Sequence, residues 1–195
     1  MTGDRLDRQL HFILEIDKLK SVLRRTLIAE GRRENSAEHS WQLAMMALLL
    51  NEYANEPVDI LRVVKMALVH DVVEIDAGDT FLYDEAAQCG KLQRERRAAE
   101  RIFRLLPEDQ AAELQALWEE FEQGRTAESR FAQAIDRLAP LLLNYARQGR
   151  MWREHNITAP RVLARNEPIQ NGSVRLWEYA RQLIADAVAR RYLSE

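Results

Sequence analysis

Hydrophobic residues recur every three or four positions along most of the chain, which is the period of an amphipathic α-helix. No short segment alternates strictly enough to predict a strand, so the expected fold class is all-α. The spacing predicts helices over residues 10 to about 31, from an N-cap at Ser36 through the run MMALLL, over 58–69, 85–106, 108–122 and 127–148, and over 173–193 after a turn at Gln170-Asn171-Gly172.

Three of these helices are apolar around most of their circumference: the one that ends in MMALLL, residues 58–69 and residues 127–148. Such helices are typical of the enclosed centre of a helical bundle. Pro140 lies inside the third, where it is expected to bend the helix and free the carbonyl of Asp136. After Gly78 the sequence turns polar and the period breaks at residues 80–83, which predicts a loop.

Length and composition place the chain among ordinary globular proteins. At 195 residues, with 47% hydrophobic residues and no low-complexity linker, a single domain spanning 1–195 is expected. The single cysteine, Cys89, excludes an internal disulfide. The sequence has no apolar leader and no apolar run long enough to cross a bilayer. It therefore predicts a cytoplasmic protein without membrane contact. A net charge of −3 gives no general attraction to nucleic acid polymers, although a basic group between Lys18 and Arg33 could hold one phosphate.

The candidate chemistry lies on the three most apolar helices, which carry His39, His70, Asp71 and Asp136. Ionisable groups beside enclosed apolar surface are costly unless they are paired or bind a metal. Two imidazoles and two carboxylates suit one divalent ion, namely Mn, Co, Mg, Ni, Fe or Zn. Taken singly, the same residues also fit a hydrogen-bonded core histidine, a histidine at a helix C-terminus and an exposed ion pair.

The segments ENSAEHSW, LVHDVVEIDAGDTF and AIDRLAPLLLN resemble the HD-domain metal-dependent phosphohydrolase superfamily, whose pattern is H…HD…D. The resemblance covers residues 18–158 and is greatest to the small bacterial hydrolases that include the 5′-deoxynucleotidases. It implies an HD-domain helical bundle in which His39, His70, Asp71 and Asp136 bind the metal. The lack of further histidines between Asp71 and Asp136 favours one ion over two.

By the same resemblance, Glu74 and Asp79 are the catalytic residues that orient water and substrate, and Arg24 binds the substrate phosphate. Arg25, beside Arg24, and Thr80, beside Asp79, are further candidates for substrate binding. The implied reaction releases phosphate from nucleoside 5′-monophosphates, with deoxynucleotides the expected class. Arg25 stands where the deoxynucleotidase subgroup has a tryptophan that helps to reject the ribose 2′-hydroxyl. The sugar preference is therefore open.

Two other functions fit the same residues. One keeps the metal and changes the substrate, as a phosphodiesterase or a phosphatase of another small phosphorylated metabolite. The other is a catalytically silent, metal-stabilised helical module that binds a partner. Amphipathic helices over 85–122 and 173–193 could present apolar stripes to a second copy, so a homodimer is expected.

Overall fold

Helices make up most of this computed structural model, which describes residues 4–195 and so leaves the first three residues of the predicted domain outside the description. The all-α fold class is confirmed, with one small hairpin added. The elements are α1 (Arg5–Ile16), a 3₁₀ turn (Asp17–Ser21), β1 (Leu23–Leu27), β2 (Arg33–Asn35), α2 (Ser36–Leu50), a 3₁₀ turn (Asn51–Tyr53), α3 (Ile60–Val69), α4 (Glu74–Ala77), α5 (Glu85–Gln88), α6 (Lys91–Phe103), α7 (Glu108–Gln123), α8 (Ala127–Ala146), α9 (Arg150–Glu154), α10 (Ala159–Asn166), α11 (Ile169–Gly172) and α12 (Val174–Ala189).

The predicted first helix is wrong beyond residue 16, because residues 23–35 form an antiparallel hairpin in which Leu23 pairs with Asn35. Gly31, at φ 84°, allows the turn between the strands. The Arg33 guanidinium donates to the carbonyls of Leu23 and Arg24, which ties the strands together. The apolar residues near residue 20 continue the helical spacing, so the pattern predicts a helix there. Local hydrogen bonds instead hold the segment that follows in an extended conformation.

Helix α2 begins with a capping box rather than with the predicted Ser36 cap. The Asn35 side chain accepts a hydrogen bond from the Glu38 amide, and the Glu38 carboxylate accepts one from the Asn35 amide. Ser36 is the first helical residue, and its hydroxyl is therefore available for a contact inside the molecule.

Helices α2, α3 and α8 pack against one another and form the main core, with Leu43, Val63 and Ile135 fully buried. The prediction that α2 and α3 are buried all round is wrong, because each helix has one face exposed to solvent. Trp41 and Leu49 on α2 are 66% and 67% exposed, and Leu61 on α3 is 62% exposed. The apolar circumference of these helices therefore divides into a core face and a solvent face.

A second buried cluster lies between α1, α6 and α7 and contains Phe12, Ile102 and Trp118. Met66 and Ala67 of α3 belong to the main core, whereas Val69 and Val72 belong to this second cluster. The end of α3, where His70 and Asp71 lie, is thus held from both sides. None of the described helices is both long enough and apolar enough to cross a bilayer.

Three further predictions differ in detail. The helix over 85–106 is interrupted at Gly90, whose left-handed backbone (φ 72°) separates α5 from α6. The predicted turn at residues 170–172 lies within α11, and α9 and α10 fill a stretch that the pattern left unassigned. Pro140 does lie inside α8, as expected.

Gly172 allows α11 to approach α8 closely. A Cβ at this position would lie 2.2 Å from the carbonyl oxygen of Arg130 and 2.8 Å from the Cα of Phe131, both of them backbone atoms. We expect Gly172→Ala to lower the free energy of unfolding by about 1–3 kcal/mol, because the two helices must separate. Urea unfolding followed by circular dichroism measures the change. The neighbouring exposed variant Asn171→Ala should stay within about 0.5 kcal/mol, and equal stability of both variants would contradict the close approach.

Candidate functional site

The four predicted metal ligands meet at one point between the central helices. His39 lies in the second turn of α2, His70 and Asp71 directly follow α3, and Asp136 lies midway along α8. His39 Nε2 is 2.8 Å from Asp136 Oδ1 and 3.9 Å from Asp71 Oδ2. His70 Nε2 is 3.1 Å from Asp71 Oδ1 and 3.8 Å from Asp136 Oδ1. One nitrogen from each imidazole thus faces both carboxylates.

This donor set fits a divalent cation. Donor atoms of His39, His70 and Asp136 lie within 4.8 Å of one another, and the Asp71 carboxylate adjoins both rings. His70 Nδ1 is 2.9 Å from the carbonyl oxygen of Ala67, to which it can donate. In the neutral ring that contact places the proton on Nδ1 and leaves Nε2 free for a metal, directed at the cluster, where this buried atom has no hydrogen-bond partner among residues 4–195. A cation would satisfy it.

Burial and mutual charge set the ionisation of the cluster. Burial favours the neutral ring of His70, but the Asp71 carboxylate overcomes this effect and raises the pKa of His70 to about 9. Burial also opposes ionisation of Asp71, yet His70 and Arg24 hold its pKa well below the usual range. The pKa of His39 is lowered by burial and by Arg24. Both carboxylates are therefore anionic near neutral pH, as metal ligands must be.

Arg24 reaches the cluster from β1, not from the predicted helix. Its Nη1 donates to Asp71 Oδ2 at 2.8 Å and lies 3.7 Å from Asp79 Oδ1. Burial disfavours the charged guanidinium, but the surrounding carboxylates, Asp71 first, raise its pKa above the ordinary value. Along the strand Arg24 is half-buried and Arg25 is exposed, although both line the same cavity. A fixed positive charge thus stands beside the four donors.

Glu74 and Asp79 flank the same point from α4 and the loop after it. The hydroxyl of Ser36 donates to Glu74 Oε2 at 2.6 Å. Burial, reinforced by the charge of Asp71, raises the pKa of Glu74 to about 8. Burial likewise raises the pKa of Asp79. Gly78, at φ 74°, turns the chain between the two acidic residues.

The predicted site residues share one cavity of ≈ 220 Å³, lined by Asp71, Asp136, Glu74, Asp79, Arg24, Arg25, Thr80 and, among others, Lys91, Asn144 and Trp152. His39 and His70 lie behind this wall and are buried. Asp76, in the same acidic segment as Glu74 and Asp79, is exposed and pairs with Arg101, and it does not line the cavity. His11 is exposed, and His155 packs on Phe81 in the loop that the sequence predicted.

Sequence reasoning missed Glu34, Lys91 and Asn144. Glu34 is only 1% exposed and adjoins both Arg24 and His39. Burial raises its pKa to about 7. Glu34 gave no signal in the sequence, because it lies between two predicted helices and only the unpredicted hairpin brings it beside His39. Lys91 and Asn144 gave no signal, because each looks like an ordinary polar position on an amphipathic helix.

Comparison with known proteins identifies the family. The family model described as "HD domain" matches residues 16–177 of this chain. The chain belongs to the HD-domain family and is an HD-domain phosphohydrolase.

Solved and curated relatives agree with this assignment. The crystal structure of a predicted metal-dependent phosphohydrolase from Magnetospirillum magnetotacticum MS-1 superposes with a TM-score of 0.94 at 55% identity, covering 98% of this chain and 96% of that one. The 5′-deoxynucleotidase HDDC2 of Bos taurus is 33% identical over 145 residues, which are 73% of this chain and 69% of that protein. The 5′-deoxynucleotidase YfbR of Escherichia coli O1:K1 / APEC is 36% identical over 76 residues, covering 37% and 38%.

Replacement of Asp71 tests whether the four donors bind a cation. Asp71→Asn keeps the shape of the side chain but removes the charge and one anionic donor, so we expect it to retain less than about a tenth of the wild-type Mn²⁺ content after reconstitution and desalting. Plasma mass spectrometry measures the content. Asp76→Asn, in the same acidic segment but paired with Arg101, should bind the wild-type amount. Full metal content in Asp71→Asn would remove this carboxylate from the metal site.

Proposed function

We propose that this enzyme releases inorganic phosphate from nucleoside 5′-monophosphates, with deoxynucleotides as the expected class. The observation that carries the proposal is the convergence of two imidazoles, two anionic carboxylates and the Arg24 guanidinium at one cavity. Cationic and metal-binding groups at one point suit a phosphoryl group, whose charge grows on its outer oxygens during transfer. The 5′-deoxynucleotidases among the relatives support a nucleotide as the substrate.

We assign His39, His70, Asp71 and Asp136 as ligands of one divalent ion, which could be Mn, Co, Mg, Ni, Fe or Zn. The chemistry that such an ion supplies when bound is polarisation of the phosphoryl oxygens and easier ionisation of water. Asp71 has two partners in this scheme, since it also accepts the hydrogen bond from Arg24. The ligand that holds the cation thereby also orients the guanidinium.

Arg24 neutralises the phosphate charge, and Glu74 and Asp79 handle protons and orientation. A carboxyl group whose pKa is about 8 is partly protonated near neutral pH, so Glu74 can both accept and return a proton. The Ser36 hydroxyl holds one of its oxygens, which fixes the direction of the other. Asp79, which lies 3.7 Å from Arg24, orients the substrate together with Thr80.

Arg25 is the residue at which sugar preference would differ from that of the deoxynucleotidases. It lines the same cavity as Thr80 and Phe81 of the loop after Gly78. A guanidinium can donate hydrogen bonds to a sugar hydroxyl, whereas a tryptophan ring excludes it. The enzyme would act in the cytoplasm, in keeping with its single cysteine.

A substrate panel tests the proposal. We expect metal-reconstituted protein to release phosphate from nucleoside 5′-monophosphates in the presence of Mn²⁺, Co²⁺, Mg²⁺ or Ni²⁺, and to lose this activity in EDTA. A colorimetric phosphate assay over ribo- and deoxynucleotides and other phosphomonoesters measures it. Chromatography of the products follows the cleavage of cyclic nucleotides, which gives a nucleoside monophosphate without free phosphate. Hydrolysis confined to cyclic nucleotides would indicate a phosphodiesterase. A metal-dependent rise in Tm with no turnover on any compound would indicate a binding module.

Glu74→Gln is the matched variant for this panel. It preserves the side-chain volume and the Ser36 contact but cannot accept a proton. We expect its kcat to fall by about 100-fold or more with Mn²⁺ content unchanged, which separates proton transfer from metal binding. An unchanged kcat would exclude Glu74 from catalysis.

We further propose that the enzyme is a homodimer, with α2 at the interface. Trp41, Met45, Leu48 and Leu49 form an exposed apolar stripe along one face of α2. A two-fold axis beside such a helix lets the same stripe pack against its copy. The helices favoured by the sequence expose less apolar surface: Leu92 on α6 is 43% exposed, and Val174 and Tyr179 stand alone on α12.

Substitution in the stripe should dissociate the dimer. We expect Leu49→Glu to elute as a monomer in size-exclusion chromatography with light scattering, because a carboxylate in an apolar interface has no partner. Leu92→Glu, on the helix that the sequence favoured, should leave the dimer intact. If only Leu92→Glu gives a monomer, the interface lies on α6, and a monomeric wild type would overturn the proposal.

A further inference from the structure

Glu34 lies between the cation site and the phosphate-binding arginine and is connected to both by a single oxygen. Its carboxylate, carried by β2, is 2% exposed. Glu34 Oε2 lies 3.3 Å from Arg24 Nε and 3.8 Å from His39 Nδ1. The oxygen therefore faces the outer edge of a metal-ligand ring on one side and the outer edge of the guanidinium on the other.

All three of these atoms are buried and lack a hydrogen-bond partner within the described part of the chain. Buried polar atoms in folded proteins are almost always paired, since an unpaired one loses its hydration without compensation. Glu34 Oε2 lies 3.3 Å from one of the two nitrogens and 3.8 Å from the other, so a rearrangement of less than about 1 Å would bring all three atoms into hydrogen-bond distance. The three unpaired atoms therefore indicate a shared contact that is not yet closed.

The two histidines of the site show why His39 needs this acceptor. His70 donates from Nδ1 to the Ala67 carbonyl, which directs Nε2 to the cluster. His39 also directs Nε2 to the cluster, 2.8 Å from Asp136. To hold a cation through Nε2, the neutral ring must carry its proton on Nδ1. The group that faces Nδ1 is Glu34, and carboxylates commonly accept this outer N–H from metal-binding imidazoles.

Arg24 uses the same oxygen for a different purpose. Its Nη1 donates to Asp71, and its Nε is directed at Glu34. Contacts at both the Nη1 and Nε positions fix the plane of the guanidinium. The remaining N–H groups are then free to meet a phosphate in the cavity.

We propose that Glu34 is a positioning residue, a common acceptor that holds the His39 ring with Nε2 toward the cation and holds the Arg24 guanidinium toward the phosphate. It touches neither cation nor substrate. The inference rests on the proposed metal centre and deepens it, because it makes metal affinity and phosphate affinity depend on one carboxylate.

Glu34→Gln tests the proposal with a readout other than turnover. The amide keeps the volume but is a weaker acceptor for two N–H groups. We expect the Kd for Mn²⁺, measured by titration of the apoprotein with free Mn²⁺ followed by electron paramagnetic resonance, to rise about tenfold or more. At saturating Mn²⁺ the KM for a nucleoside 5′-monophosphate should rise about tenfold as Arg24 loses its brace, with a smaller change in kcat.

Glu15→Gln is the control for loss of a buried carboxylate. Glu15 is 7% exposed and pairs with Lys18 and Arg101, and none of these three residues lines the site cavity. This variant should keep the wild-type Kd for Mn²⁺ and the wild-type KM. Thermal unfolding in EDTA establishes that both variants are folded.

The double variant Arg24→Met/Glu34→Gln separates the two contacts. On the Arg24→Met background, Glu34→Gln should still weaken Mn²⁺ binding, because that effect acts through His39, but should no longer change KM. If Glu34→Gln does not fold, Glu34→Asp keeps the charge and withdraws it by one methylene, and the same weakening of Mn²⁺ binding is expected.

Folded Glu34 variants with wild-type Kd for Mn²⁺ and wild-type KM would overturn the proposal, as would a lower Tm as their only defect. A wild-type protein that binds no Mn²⁺ at all would instead refute the metal centre itself. The two failures are thereby distinguishable.

Discussion

Charged side chains removed from water lose hydration energy that only close partners can replace, and four elements of this chain bring such side chains to one point. Helices α2, α3 and α8 supply the histidines and aspartates, and β1 supplies Arg24. Asp71 adjoins His70, His39 and Arg24 at once. These contacts keep the aspartates ionised in spite of their burial. The hydrophobic packing around them serves to maintain this arrangement.

The hydrophobic packing is arranged around the same cluster of charged residues. The end of α3 contributes residues to both buried clusters, so His70 and Asp71 are fixed at the place where two cores meet. Interiors packed to crystalline density allow little displacement. Rigid helices therefore set the spacing of the donors, while the hairpin and the loop after Gly78 bring Arg24 and Asp79 to them. A helical site of this kind needs a small sheet only where a side chain, here that of Arg24, must reach the cluster from outside the central helices.

The central helices and the four donor residues could be predicted from the sequence because both signals are long-range and redundant. Three apolar helices each carried an ionisable residue, and the spacing matched a known pattern. The hairpin could not be predicted, because Leu19, Val22 and Leu23 continue the helical period while the turn at Gly31 and the Arg33 contacts decide the backbone. Glu34 was missed for the same reason. The exposed side of α2 was misjudged because periodicity records hydrophobicity but does not distinguish a core from a surface that a second chain could cover.

The position of Gly78 has a consequence for how this scaffold can diverge. Gly78 separates helix α4, which carries Glu74, from the loop in which Thr80 to Tyr83 follow Asp79 and line the cavity. Changes at residues 80–83 alter the shape and polarity met by the organic part of a substrate, and they leave the helical donors undisturbed. Substrate specificity can thus change during evolution through the loop, while the helices that hold the donor residues keep the hydrolytic chemistry.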